Sequence, residues 1–214
     1  MTFEHLFFIP FILCLGIVLG GQLTHWRLTK ASAPVRRVGV RSVAVPLMAF
    51  LALFFLTHVV SIHGGAKAVE ESLGGQSLFD QQASYGAQEV HTRLGGFGPQ
   101  GRARYQHMTF TTDLVFPLTL CVFLIQLVRF VNERTFVTPG VRRLGMALAP
   151  LWLFTDLCEN AIIYRLLGTY PASDDALAQV LGPITHLKFA LLVGCVAYCA
   201  ALSVSTSRDP VDRS

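Results

Sequence analysis

Five stretches of this chain are too apolar and too long to be left in water: Leu6 to Thr24, Val43 to Ile62, Asp113 to Val131, Gly145 to Leu167 and Ile184 to Val204. Each approaches the roughly 20 helical residues that cross about 30 Å of hydrocarbon. In lipid a backbone must satisfy its own hydrogen bonds, and within a single segment only a helix does so. The expected fold is therefore an all-α polytopic transmembrane bundle of about five spans, forming one membrane domain over residues 1–214. Only 14% of the residues are charged and 52% are hydrophobic, whereas a soluble globule carries about 25% charge. A net charge of +4 provides no basic stripe for a nucleic acid. The expected partner is the lipid bilayer, with a membrane-protein partner or a small ligand left open.

The first run is expected to remain as a helix rather than act as a cleaved signal. "MTFEH" has no basic residue, and "GIVLGGQLTHW" offers no A-x-A-like cleavage site. Gly16 and Gly20 give that helix a small-residue face. The five cysteines, Cys14, Cys121, Cys158, Cys195 and Cys199, all lie in apolar stretches without a C-x-x-C pair. They read as packing residues, and thiol redox chemistry is not expected.

Lys and Arg set the expected orientation. Eleven fall in the 42 residues of the loop from His25 to Arg41, the loop from Arg129 to Arg143 and the tail, against five in the 74 residues of the other side. That density ratio of about fourfold places the N-terminus outside and the C-terminus in the cytoplasm of a multi-pass cell-membrane protein. The long loop from His63 to Thr112 is then external. Its first part, "HGGAKAVEESLGGQSLFD", reads as irregular, and a short helix is expected from Gly86, broken at "GGFGP". From Gln100 one helix is expected to run straight into the third span, with Arg102, Gln106, Thr109 and Asp113 on one stripe. Arg102 reads as an ion-pair partner for an external acid. Pro183 suits the first turn of the fifth span. Trp26 reads as an interfacial anchor and Trp152 as a packing residue.

The main clue to function is polar. "FTDLCENAIIYRLL" places Asp156, Glu159 and Asn160 on one face of the fourth span. An ionised carboxylate near mid-bilayer costs roughly 2.5 to 3.5 kcal/mol, so this face must turn inward to partners, water or a proton. Lys188 and Thr185 share a face of the fifth span, with His186 nearly opposite; Asp113 begins the third span, and His58 lies near the end of the second. The expected site is an outward-opening cluster of Asp113, Asp156, Glu159, Asn160, Thr185, Lys188 and His58. The sequence is best read as a structural or partner-binding bundle locked by its own ion pairs; the alternatives are a small-molecule or ion binding or transport protein and, second, an enzyme using paired carboxylates. No metal-ligand spacing, phosphate loop or nucleophile elbow is present, so neither metal nor cofactor is expected.

The segments "GPQGRARYQHMTFTTDLVFPLTL", "LFTDLCENAIIYRLL" and "THLKFALL" resemble a group of uncharacterised bacterial integral membrane proteins. That group has a G-x-x-G-R-x-x-Y segment leading into a D-x-x-F-P helix, then D-x-x-E-N and T-x-x-K helices. The likeness covers about Val43 to Ala201. The matching residues are Gly98, Gly101, Arg102, Tyr105, Asp113, Phe116, Pro117, Asp156, Glu159, Asn160, Thr185 and Lys188. It implies a polytopic helical fold and adds Arg102 and Tyr105 to the candidate site, but supplies no activity. The group has four spans, so the run from Leu6 to Thr24 is a departure from it.

Overall fold

The structure, a computed structural model, describes residues 38–62, 64–81 and 86–207. The first apolar run, Cys14, Trp26, His63 and the basic residues before Val38 or after Ser207 lie outside the described residues. The chain folds as an all-α bundle, with no strand among the described residues. Among the described residues the α-helices are α1 (Val40–Phe54), α2 (Ala66–Ser72), α3 (Ala87–Gly96), α4 (Gly98–Thr109), α5 (Thr112–Asn132), α6 (Pro139–Thr169) and α7 (Asp175–Ser207). α1 ends in a π-helical turn, Phe55–Val59, and a 3-10 turn spans Phe79–Gln81.

Among the described residues, four segments are long and apolar enough to cross a membrane: Val40–Val59, Gly98–Asn132, Pro139–Thr169 and Asp175–Val204. They expose Phe54, Leu151, Phe154, Leu187, Val193 and Val196 on their outer faces, as contact with lipid tails requires. α5 packs against α1 and α6, and the largest interface joins α6 to α7. Neighbours run antiparallel. At one end Val38 N–H donates to Glu133 Oε2, and Arg134 donates to Val38 O at 3.3 Å. At the other end Thr112 Oγ1 donates to Gly64 O at 2.7 Å. Gly145 lets α6 approach α7 closely, because a Cβ there would run into the Tyr198 ring.

Two hydrophobic cores are stacked along the bundle. One lies among the spans, with Leu120, Leu124, Val128, Trp152, Cys195 and Cys199. The other is a cap in which Val69, Leu73, Phe79, Val90, Leu94, Phe97, Tyr105 and Met108 meet Ile163 and Leu166 of α6 and Ala178 and Leu181 of α7.

The cap accounts for the departures from the sequence expectations. "AKAVEES" is helical rather than irregular, because Ala66 and Val69 on one face, with Leu73 at the helix end, are buried in the cap core. α7 starts eight residues before Pro183, since Ala178 and Leu181 also find burial there; Pro183 is an interior residue, not a first-turn one. The helix expected from Gln100 into the third span is interrupted at Phe110 and Thr111. Thr111 leaves helical geometry at φ −123°, ψ −86°, and its hydroxyl turns back to His107 O at 2.7 Å. The expected helix after Gly86 is present, but Gly95 and Gly96 close it and only Phe97 separates it from α4. Gly98, at φ +65°, makes that bend, a region a side chain rarely enters.

Candidate functional site

The polar residues occupy the seam between the two cores. Along α6, Trp152 belongs to the membrane core and Ile163 to the cap, with Asp156, Glu159 and Asn160 between them. Along α7, Leu181 belongs to the cap and Leu191 and Leu192 pack against the membrane core, with Thr185 and Lys188 between them. The i, i+3, i+4 spacing on α6 and the i, i+3 spacing on α7 turn these side chains into the shared interface.

Glu159 is fully buried and both carboxylate oxygens are engaged: Thr185 Oγ1 lies on Oε1 and Lys188 Nζ on Oε2. Lys188 also reaches Asp156 Oδ1 at 3.3 Å. Asn160 Nδ2 donates to the Asp113 carbonyl at 3.1 Å and approaches Asp156 Oδ2 at 3.5 Å, fastening α6 to the start of α5. Lys188 is thus paired with both α6 acids, and Asn160 is bonded to a helix backbone. A buried ammonium shared by two carboxylates offsets much of their desolvation cost.

The ion pairs do not fill the seam. Beside them lies a cavity of about 310 Å³, walled by Phe50, Phe54 and His58 of α1, Asp113, Phe116, Pro117 and Leu120 of α5, Trp152, Asp156 and Asn160 of α6, and Lys188, Phe189 and Leu192 of α7. Asp80 of the cap completes the wall. α1 and α7 scarcely touch, so the space is a cleft between them with α5 and α6 as its floor. Three rings meet on one side: His58 stacks on Phe54 with centroids 4.7 Å apart, and Phe116 lies 5.1 Å from His58 and 6.1 Å from Phe54. The π-helical turn carries His58, whose Nδ1 is 2.7 Å from Thr57 Oγ1. Gly65 admits the Thr57 carbonyl where a Cβ would stand 2.8 Å from it. Among the described residues, no three His, Cys, Asp or Glu side chains are grouped so as to hold a metal ion.

Of the residues singled out in the sequence, Asp113, Asp156, Asn160, Lys188 and His58 line the cavity, while Glu159 and Thr185 hold Lys188 in place. Arg102 and Tyr105 do not line it. Arg102 makes no ion pair among the described residues; it donates to Leu94 O at 2.8 Å and its guanidinium sits 4.2 Å from the Tyr170 ring centre. A ring face and a carbonyl thus replace the expected acid. Tyr105 is buried in the cap, where its hydroxyl accepts the Phe79 N–H at 2.8 Å. Gly101 brings α4 onto α2, with room for no Cβ beside Ser72 O. The G-x-x-G-R-x-x-Y segment therefore builds the cap and holds the Phe79–Gln81 turn over the seam.

That turn carries the residue sequence reasoning missed. Asp80 faces the cavity, and its Oδ1 is buried without a hydrogen-bond partner among the described residues. The available signal was "SLFD", where two large apolar residues beside an acid interrupt a polar, Gly-rich loop. Comparison with protein-family models, curated proteins and solved structures yields no match.

Proposed function

We propose that this is a multi-pass membrane protein that binds a small molecule in the seam cleft between α1 and α7. The observation that carries the reading is the cavity itself. A bundle locked only by its ion pairs would close around them, because protein interiors pack to crystal-like density. Here the Lys188 pairs are formed and an aromatic and carboxylate-lined space of about 310 Å³ lies against them. That size falls at the lower end of small-molecule sites, roughly 300 to 1,000 Å³. The satisfied Glu159 favours a second reading for the α6 and α7 residues alone, in which they are structural glue and the cleft receives a partner helix.

The Lys and Arg distribution supports an orientation with the cap outside and the α5–α6 connection in the cytoplasm, where Arg129, Arg134, Arg142 and Arg143 lie. The motif likeness to bacterial membrane proteins belongs to the same proposal. A thermal-shift screen of small molecules tests it, run in parallel on the wild-type chain and on Leu120→Phe, which puts a larger side chain into the cavity. A ligand at 100 times its Kd adds about 2.7 kcal/mol to the folded state. Compounds that raise the melting temperature of the wild type and not of Leu120→Phe are the expected result. Shifts equal in both chains would place binding elsewhere and refute the reading.

A further inference from the structure

Resting on the proposed ligand site, we infer that the group it takes is an organic ammonium carrying apolar substituents. Charge selects the sign. Lys188 already answers Glu159 and Asp156, whereas Asp80 and Asp113 line the same cavity with no ion-pair partner among the described residues. An anion entering the seam would meet this carboxylate surplus and an ammonium that is already shared. A cation would meet two carboxylates not otherwise paired, in surroundings where charge interactions are far stronger than in water.

The walls select the kind of cation. Phe54, His58 and Phe116 form a cluster of rings, and Trp152 and Phe189 line the same cavity. Aromatic faces attract cations, and cages of rings are the usual means of holding alkylated ammonium groups, which shed water easily. Lys188 illustrates it within the site, its Nζ lying 5.5 Å from the Phe189 ring centre. A small metal ion would want several converging oxygens, and no such donor set forms among the described residues. The space corresponds to about ten water volumes, which suits a compact molecule. Phe54 and Phe189 are 42% and 41% exposed, so both flanks of the cleft reach the lipid-facing surface. The ammonium can therefore come from a free amine or from a lipid headgroup, and both have the recognised chemistry.

The test uses the full chain in nanodiscs of phosphatidylglycerol. Binding of benzyltrimethylammonium, benzyl alcohol and phenylacetate, which share a ring and differ in charge, is measured by calorimetry. The cation is expected to bind tightest. In Asp80→Asn/Asp113→Asn its affinity should fall about tenfold or more, with benzyl alcohol changed by less than about twofold. Phe116→Leu, which keeps the carboxylates, should weaken the cation by about threefold. Including phosphatidylcholine, whose headgroup ends in a trimethylammonium, separates the sources: competition assigns the site to the lipid headgroup, and no competition to a soluble amine, and both support the inference. Tighter binding of benzyl alcohol or phenylacetate, or a cation affinity indifferent to the double variant, would overturn it while leaving the ligand-site reading intact. If none of the three binds, both fail together.

Discussion

Lys188→Met is the sharpest perturbation of the seam. The substitution keeps an unbranched side chain and removes the ammonium that faces Glu159 and Asp156. Removing one partner of a buried pair typically costs roughly 3 to 5 kcal/mol, because the other charge is left without compensation. The two acids differ in what remains. Glu159 is fully buried and keeps only the Thr185 hydroxyl, whereas Asp156 keeps Asn160 and borders the cavity. Glu159 therefore carries most of the cost, and taking up a proton recovers part of it by removing the stranded charge. The net loss should be about 2 to 4 kcal/mol. For a chain of this length that corresponds to a fall in Tm of roughly 5 to 15 °C. Adding Glu159→Gln should restore most of it and Asp156→Asn less, since the neutral amide of the first variant would still fill the space and meet Thr185. Thermal unfolding in detergent of all singles and doubles, read as mutant cycles, measures the coupling. Additivity within about 0.5 kcal/mol in both pairs would show that Lys188 does not act on these acids.

Three further substitutions probe how the cap holds Asp80 over the seam and how the spans pack. Tyr105→Phe removes the hydroxyl that accepts the buried Phe79 N–H; a loss of about 1 to 3 kcal/mol is expected, with faster amide exchange at Phe79 to Gln81 and little change in α6. Gly101→Val pushes α4 from the end of α2, whose Ser72 carbonyl has no room for the added atoms, so limited proteolysis between Gly74 and Gln81 should quicken and stability should drop by about 1 to 3 kcal/mol. Gly145→Leu drives a side chain into the Tyr198 ring and displaces the hydroxyl that donates to Asn132 Oδ1 at 2.6 Å. It should lower Tm as strongly as Lys188→Met while sparing amide protection in the cap.

The sequence discloses those parts of the fold that rest on a large solvent penalty. Uncharged runs reveal the spans because hydrocarbon tolerates little else. Asp156, Glu159 and Lys188 are legible for the same reason: their charge forces them inward, and helical spacing brings Lys188 to both acids. Contacts made across the chain were harder to read. Asp80 reaches the cavity because a tyrosine 26 residues from Phe79 accepts that neighbour's backbone N–H, and no local pattern encodes this bond. The early start of α7 depends on Leu181 being buried by a cap to which α2, α3, α4 and α6 contribute. Likewise, the kink at Thr111 goes with its hydroxyl returning to the His107 and Met108 carbonyls, a competition that helical spacing alone does not show. Arg102 shows the limit of charge pairing as a guide, because a ring face and a carbonyl serve it as well as a carboxylate would.

The most direct test of the account is a high-resolution structure of the full chain, purified in native lipid and read at the seam. Non-protein density is expected in the space between Trp152 and the Asp80 and Asp113 carboxylates, with Lys188 still on Glu159 and Asp156. A seam closed by Phe116, Leu120 and Phe189 packed against one another, with Asp80 turned away to solvent and no density beside Lys188, would contradict it.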